Sequence, residues 1–440
     1  MSDYGPTDVL HGDFETFSYC DLKKSGGYRY ASDETTEILC FGWVINEAPE
    51  VSLWVPCITA EQAREHGLPR NAYWHYGSAV PTELAKAITA GVTFAAHNVS
   101  FERAIWQSIV VKRHGGPGTK RGQFTCTAIR AAAAHLPRSL EGAAMALDAR
   151  NQKDAEGKRL LKKFAMPRKA TKNDPRTRIM PLEDVQEFKA LCNYCRTDVL
   201  AERDIDKMLP QLHPDEQRLL GFDMLINERG LRIDIDAVRN ASEILKALEA
   251  SIVADVQKRT VCPEYPEGLR PTQGAKMLQF FRGMGVALEN MQSDHVRKYL
   301  RDNVSTLPDL ARELLLLRIE ASRSSTKKFI SMESYAGTGD NRARGTMLLY
   351  GAHTGRFSGR GIQPHNFSKG SLKYDEVLRV FELLKLKDPD ILSILYEWPI
   401  STIGSTMRGY IVPTPGKIFR IVDYASIEAR VLAWLAQETW

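Results

Sequence analysis

No stretch of the chain is apolar enough for a membrane: runs fall well short of the roughly 18 residues a spanning helix needs, and the candidate at 314–317 is broken by Arg318. The first ten residues carry Asp3 and Asp8, with neither a basic cluster nor an apolar core, so no secretory signal is expected. Cysteine is scarce and odd in number, seven in 440 residues, which argues against a disulfide framework and fits a reducing compartment. Glycine (31) and proline (21) are not enriched, which excludes collagen-like and low-complexity classes. There is no internal repeat, and neither sign of charge dominates, the net being only +5. What remains is a chain with 43% hydrophobic and 26% charged residues, ordinary values for a globular protein. Its length is that of two to four domains. A soluble, cytoplasmic protein without membrane partners is expected.

Charge becomes informative once it is located. Residues 153–178 hold ten basic side chains against three acids (Asp154, Glu156 and Asp174), a local +7 that leaves the rest of the chain at −2. Phosphate neutralisation asks for such local density. A solvated loop has the same composition, and Gly157, Pro167 and Pro175 are expected to break any helix there. Both readings stay open at this point.

The first half reads as mixed strand and helix. Strands are expected over 9–17, 37–44 and 93–96, the last turning at Asn98 into a helix over 101–111. Residues 182–208 carry Val185, Phe188, Leu191, Val199 and Ile205 at helical spacing. Pro210, His213 and Pro214 then mark a boundary. Beyond it the pattern turns helical: Asp234 and Asp236 open a helix with Val238, Leu245, Leu248, Ile252 and Val256 on one stripe. A second helix is expected over 310–331. Short strands follow at 346–351 and 418–423, with a final helix over 426–436.

Two small acidic patterns carry chemistry. Asp13-Phe14-Glu15 lies on a strand, so both carboxylates face one way and Phe14 the other. Hard oxygen ligands paired on one face suit Mg²⁺ or Mn²⁺. Tyr194 and Asp198, four apart, share a helix face. Between them Asn98-Val-Ser-Phe-Glu102 follows a strand and opens a helix that can bring Glu102 to the sheet edge. His97 reads as a satisfied loop residue. Cys192 and Cys195 read as packing residues, because no second pair completes a zinc site.

The order of these groups resembles the proofreading 3′→5′ exonucleases of DNA polymerases and ribonuclease D-like enzymes, which hold four acids and a tyrosine. Asp13 and Glu15 match the first motif, Asn98 and Glu102 the second, Tyr194 and Asp198 the third. The resemblance implies a ribonuclease H-like fold, a mixed sheet flanked by helices, and two Mg²⁺ or Mn²⁺ ions on Asp13, Glu15, Glu102 and Asp198. It implies that Asn98 contacts the DNA strand. The second motif usually ends in Asp; Glu102 adds a methylene, moving its carboxylate by about 1.5 Å. With an ordinary pKa of about 10, Tyr194 is a poor base at neutral pH, so its expected role is to orient the attacking water.

The second half carries a further resemblance. His353-Thr-Gly-Arg-Phe-Ser-Gly-Arg-Gly-Ile-Gln-Pro-His-Asn366 packs glycines, arginines and amides as a nucleic-acid groove would. Lys417-Ile-Phe-Arg-Ile-Val-Asp-Tyr-Ala-Ser-Ile-Glu-Ala-Arg430 offers a β-run that delivers Asp423, then a helix with Ile427, Val431 and Leu435 expected inward. These resemble the primer-template segment and the first catalytic motif of family A DNA polymerases, the DNA polymerase I and bacteriophage replicase group. Ile226-Asn-Glu-Arg-Gly-Leu-Arg-Ile-Asp234 resembles the start of that family's thumb. The resemblance implies catalytic metals on Asp423 and the Tyr424 carbonyl, and Glu428 closing against the sugar 2′ position. It implies DNA contacts by Arg356, Gln363, His365 and Asn366, and a phosphate grip by Arg323, Lys327 and Lys328.

The expected organisation is an exonuclease domain at 1–209, a mainly helical thumb at 210–340, and an incomplete α+β palm at 341–440. The family's fingers helix and its second palm carboxylate lie beyond the matched motif, and no 5′-nuclease domain is expected ahead of residue 1. This chain alone is therefore expected not to polymerise, and deoxynucleotides become substrates only if it is completed. Two other readings stay open: a non-catalytic DNA-binding half completed by a second polypeptide, and a free-standing exonuclease. The apolar last helix wants a covering sheet, so residues from about 340 onward are expected to pack poorly. The implied setting is the cytoplasm of a bacterial or phage-infected cell, with single-stranded 3′ ends and primer-template duplex as partners.

Overall fold

In a computed structural model, which describes residues 4–150, 155–303, 305–321, 325–336 and 339–438, the first apolar runs pair into a six-stranded mixed sheet. The strands are β1 (Val9–Phe17), β2 (Glu37–Ile45), β3 (Ser52–Val55), β4 (Trp74–Tyr76), β5 (Thr93–Ala96) and β6 (Phe124–Cys126), in the order β4-β3-β2-β1-β5-β6. Central β1 runs antiparallel to β2 and parallel to β5. Both faces are covered, which is why β2 is an almost unbroken apolar run rather than an alternating one.

One face of β1 packs on aromatic rings. Phe14 lies 4.2 Å from Phe41 between ring centroids, and Trp106 reaches Phe41 and Phe94 at 6.0 and 5.8 Å. Gly12 leaves room for this cluster: a Cβ there would stand 2.6 Å from Phe41 Cζ and 3.1 Å from Phe94 Cε2. Across the other face lies the helix Val185–Met208, started by Asp184, whose side chain accepts from the Glu187 amide. Helix Pro214–Arg229 adds Leu220 and Met224 to the first core, where Leu349 joins them.

The later part is mainly helical. Asp234 caps Ile235–Arg259 through the Ala237 amide, as the acidic start promised, and buries Val238, Leu245, Leu248 and Val256. Val238, Leu245 and Leu248 form a second core with Phe329, Ile362, Phe367 and Tyr410. Helices Gly274–Gly283, Ser293–Asp302 and Asp309–Ala321 close a third around Phe281, Leu314 and Leu315. Among the described residues no helix is long and apolar enough to cross a membrane.

Several expected elements differ. The chain expected to be helical over 310–331 is helical on both sides of residues 322–324, which lie outside the described residues, as Asp309–Ala321 and Ser325–Ala336. Gly157 does not break a helix: Ala155–Phe164 runs through it, held by the burial of Leu160 and Phe164. The strand at 346–351 shrinks to Met347–Leu348, paired only with Ser358–Gly359. The β-run at 418–423 is not a strand, because no described strand offers it a ladder, and its side chains are exposed. Helix Ile427–Leu435 forms, but Ile427, Val431 and Leu435 are 46, 45 and 65% exposed rather than inward. Poor packing begins later than expected: Phe367, Val380, Leu384, Ile403 and Tyr410 are all buried, and exposure becomes general only past Pro413.

The Gly12→Ala substitution should lower stability by about 1–3 kcal/mol, the usual range for overpacking a filled core. Urea denaturation would measure it. A neutral result would mean that the aromatic cluster can yield.

Candidate functional site

Strand alternation turns His11, Asp13 and Glu15 to one face of β1 and Leu10, Gly12 and Phe14 to the other. The pairing with β2 shifts register between Glu15 and Thr16, a bulge of the kind that re-aims a side chain beside a site. Helix Val185–Met208 crosses this face. Its Cys195 thiol donates to the Asp13 carbonyl at 3.4 Å, and Glu202 accepts from His11 Nδ1 at 2.6 Å, both side chains buried. Asp198 lies between those two contacts along the helix. Ligand atoms of Asp13, Glu15 and Asp198 consequently fall within 4.8 Å of one another, with Glu15 and Asp198 buried. Three carboxylates this close suit a hard divalent cation.

Glu102 lies beside this trio. It sits in the first turn of helix Val99–Ile105, which Asn98 opens from a left-handed φ of 85°, a conformation asparagine tolerates. The side chain is only 3% exposed, and its Oε2 finds no hydrogen-bond partner among the described residues. Burial, then the charge of Asp13, with lesser pushes from Glu202 and Glu15, raises its carboxyl well above the ordinary range. Tyr194, one turn before Asp198, is buried among Leu160, Phe164 and Phe188.

His11 and Glu202 were not singled out by the sequence reading, although Tyr194, Asp198 and Glu202 recur at spacing four and so share one helix stripe. His97 is satisfied, as expected, by Thr127 Oγ1 and the Arg138 carbonyl. Cys192 and Cys195 are buried free thiols, and Cys195 also ties the helix to the strand that carries Asp13. The basic run is largely neutralised within the chain. Arg159 pairs with Glu156 and Glu187, Lys163 with Asp184 and Glu187, Arg176 with Asp174 and Glu183, and Arg178 with Glu37.

Asn98 borders a cavity of about 380 Å³, lined also by Phe101, Arg138, Asp223, Tyr335 and Arg360. Burial lifts the Asp223 carboxyl to about 6. Farther along, Gln363, His365 and Asn366 are exposed around a short 3₁₀ turn, with Asn366 donating to Gln363 Oε1 at 3.1 Å. Lys328 donates to the Asn366 carbonyl at 2.8 Å, while Lys327 is exposed on the same helix. Arg323 lies outside the described residues. Arg356 reaches Glu428 at 3.2 Å in an exposed pair. Asp423 and Tyr424 lie on the exposed 417–424 segment, away from any acidic cluster found among the described residues.

No protein-family model matches the chain. A DNA polymerase of Bacillus phage SP02 is 32% identical over 437 residues, covering 98% of this chain and 62% of that protein. The chain thus spans less than two thirds of this relative's length. Among solved structures, the POL domain of Pol1 from M. smegmatis, in complex with DNA primer-template and dNTP, aligns with a TM-score of 0.48 and 10% identity. That alignment covers 98% of this chain and 59% of that one.

The raised Glu102 carboxyl has a consequence for stability. Its folded pKa exceeds the unfolded value of about 4.3, so its contribution is whole below that value and is lost as pH rises through the folded one. In EDTA, the unsubstituted chain should lose more thermal stability than Glu102→Gln between pH 5 and pH 8. Equal pH slopes would show that the charge is not confined as described.

Proposed function

We propose that residues 1–209 act as a ribonuclease H-like 3′→5′ exonuclease, hydrolysing the last phosphodiester of a DNA 3′ end with two Mg²⁺ or Mn²⁺ ions. The observation that carries this reading is the convergence of Asp13, Glu15 and Asp198 from sequence positions almost two hundred residues apart. The unit belongs to a family A DNA-directed DNA polymerase, with its thumb at 210–340 and its palm opening at 341–440. The phage relative, named as a DNA polymerase and aligned over nearly the whole chain, supports that assignment.

The donor set fits the cations: buried carboxylate oxygens crowded together, with an unpartnered Glu102 oxygen beside them. Bound divalent ions supply charge relief on the phosphate and acidify water. Asp13, Glu15 and Asp198 would hold them, with Glu102 at the edge of the set. Tyr194 orients the water that attacks the phosphorus. Asn98 and the adjoining cavity receive the 3′-terminal nucleotides.

On the polymerase side, Asp423 and the Tyr424 carbonyl would hold the catalytic metals, and Glu428 stands against the sugar 2′ position. Arg356, Gln363, His365 and Asn366 contact the primer-template, and Arg323, Lys327 and Lys328 its phosphates. The Arg356–Glu428 pair supports a shared neighbourhood for the two motifs. Deoxynucleotides are the substrates of the whole polymerase, working in the cytoplasm.

A labelled single strand with Mg²⁺ or Mn²⁺ tests the first half. The Asp13→Ala/Glu15→Ala double variant should lose hydrolysis by more than about 100-fold, since loss of outer-shell support alone commonly costs 10–100-fold. Undiminished activity would overturn the site. For the second half, Lys327→Ala/Lys328→Ala should weaken duplex binding at any sequence and reduce the salt dependence by roughly one phosphate contact per lysine. An unchanged salt slope would remove these lysines from the interface.

A further inference from the structure

Gly157 is the third residue of helix Ala155–Phe164 and is buried, at a position where alanine would favour the helix more than glycine does. Its backbone is not left-handed, so conformational freedom does not explain it. Its surroundings do. A Cβ at this position would lie 1.9 Å from Tyr194 Cε2, 2.3 Å from Cδ2 and 2.4 Å from Cζ, separations that carbon atoms in non-bonded contact do not sustain. The helix backbone thus lies directly on the tyrosine ring.

Both partners pack among buried side chains. Leu160 and Phe164, on the face that Gly157 shares, are buried, and Phe164 meets Phe188 edge-on at 5.6 Å. Beside them Arg159 and Lys163 pair with Asp184 and Glu187 at the start of the very helix that carries Tyr194 and Asp198. This is what part of the basic run does: its charges clamp one helix onto the other.

We infer that Gly157 is a positioning residue for the exonuclease site, its missing side chain fixing the Tyr194 ring one turn from Asp198. The inference rests on the exonuclease reading above, in which Tyr194 orients the attacking water. Any side chain at 157 moves the ring, the helix or both. Binding of the DNA strand and of the cations, which uses other residues, should be spared.

The test is a cycle of the full chain, Gly157→Ala, Tyr194→Ala and Gly157→Ala/Tyr194→Ala, assayed on single-stranded DNA with Mn²⁺. Gly157→Ala should lower kcat by about 10–100-fold, in line with the cost of misplacing a reacting group by about 1 Å. KM for the strand and Mn²⁺ affinity should stay within about twofold. In the Tyr194→Ala background, where the ring is gone, the same substitution should change kcat little and should melt no lower. An unaltered kcat in Gly157→Ala, or an equal loss in both backgrounds, overturns the inference. If Gly157→Ala alone fails to fold, a folded double variant supports the contact and an unfolded one refutes it. A parent chain without hydrolysis would instead sink the exonuclease reading, a result distinct from an active parent that ignores Gly157→Ala.

Discussion

Carboxylates pressed together in a buried place repel, and this fold must hold several of them. At the 4.8 Å limit separating the ligand atoms of Asp13, Glu15 and Asp198, two full charges cost roughly 3 kcal/mol per pair at an effective dielectric of about 20. Glu102 meets the problem by holding its proton more tightly, and Glu202 by pairing with His11. Deeper along the same helix, Asp206 pairs with buried Arg130. What resists the repulsion is mechanical. The helix Val185–Met208 is seated on β1 and β2, with Cys195 and Val199 both closing on Gly42, while the aromatic cluster under Phe14 fixes the strand from the other side. A divalent cation would relieve the same repulsion, which is what makes this arrangement a candidate metal centre.

Most of this arrangement was legible in the sequence because it follows from local periodicity. The alternation of Asp13, Phe14 and Glu15 gives the strand and the shared face, and the run 93–96 followed by Asn98 gives a strand end and a helix start. The acidic cap at Asp234 marks a helix start for an equally local reason. His11, Glu202, the bulge after Glu15 and the contact of Gly157 with Tyr194 were not read, because each takes its meaning from a partner distant in sequence. A helical stripe of Tyr194, Asp198 and Glu202 was there to be seen; which side of it would meet a strand was not.

The second half shows the limit of pattern reading from the other direction. The run at 418–422 has the composition of a strand, yet a strand is a property of two chains of hydrogen bonds, and composition supplies only one. Likewise the charge of residues 153–178, ambiguous as composition, became mostly ion pairs once the acids at 183, 184 and 187 were brought alongside. Local density of one sign is evidence of a phosphate surface only when the opposite charges are elsewhere in space, and sequence distance does not report that.

The loop that carries Arg356 is not loosely appended to the acid-bearing sheet. Leu349 sits in the first core with Leu220 and Met224, and Arg138 donates to the Leu349 carbonyl at 2.8 Å. Asn227 holds Met347 twice, accepting from its amide at 3.0 Å and donating to its carbonyl at 3.2 Å. The base of the loop is thus fixed to elements that also wall the cavity beside Asn98, while its tip is left exposed for contact. These contacts join residues on both sides of residue 340. The base of the loop that carries Arg356 and the strand that carries Asp13 and Glu15 share the first core through Leu349 and Phe14, so a shift at Leu349 would be felt at both.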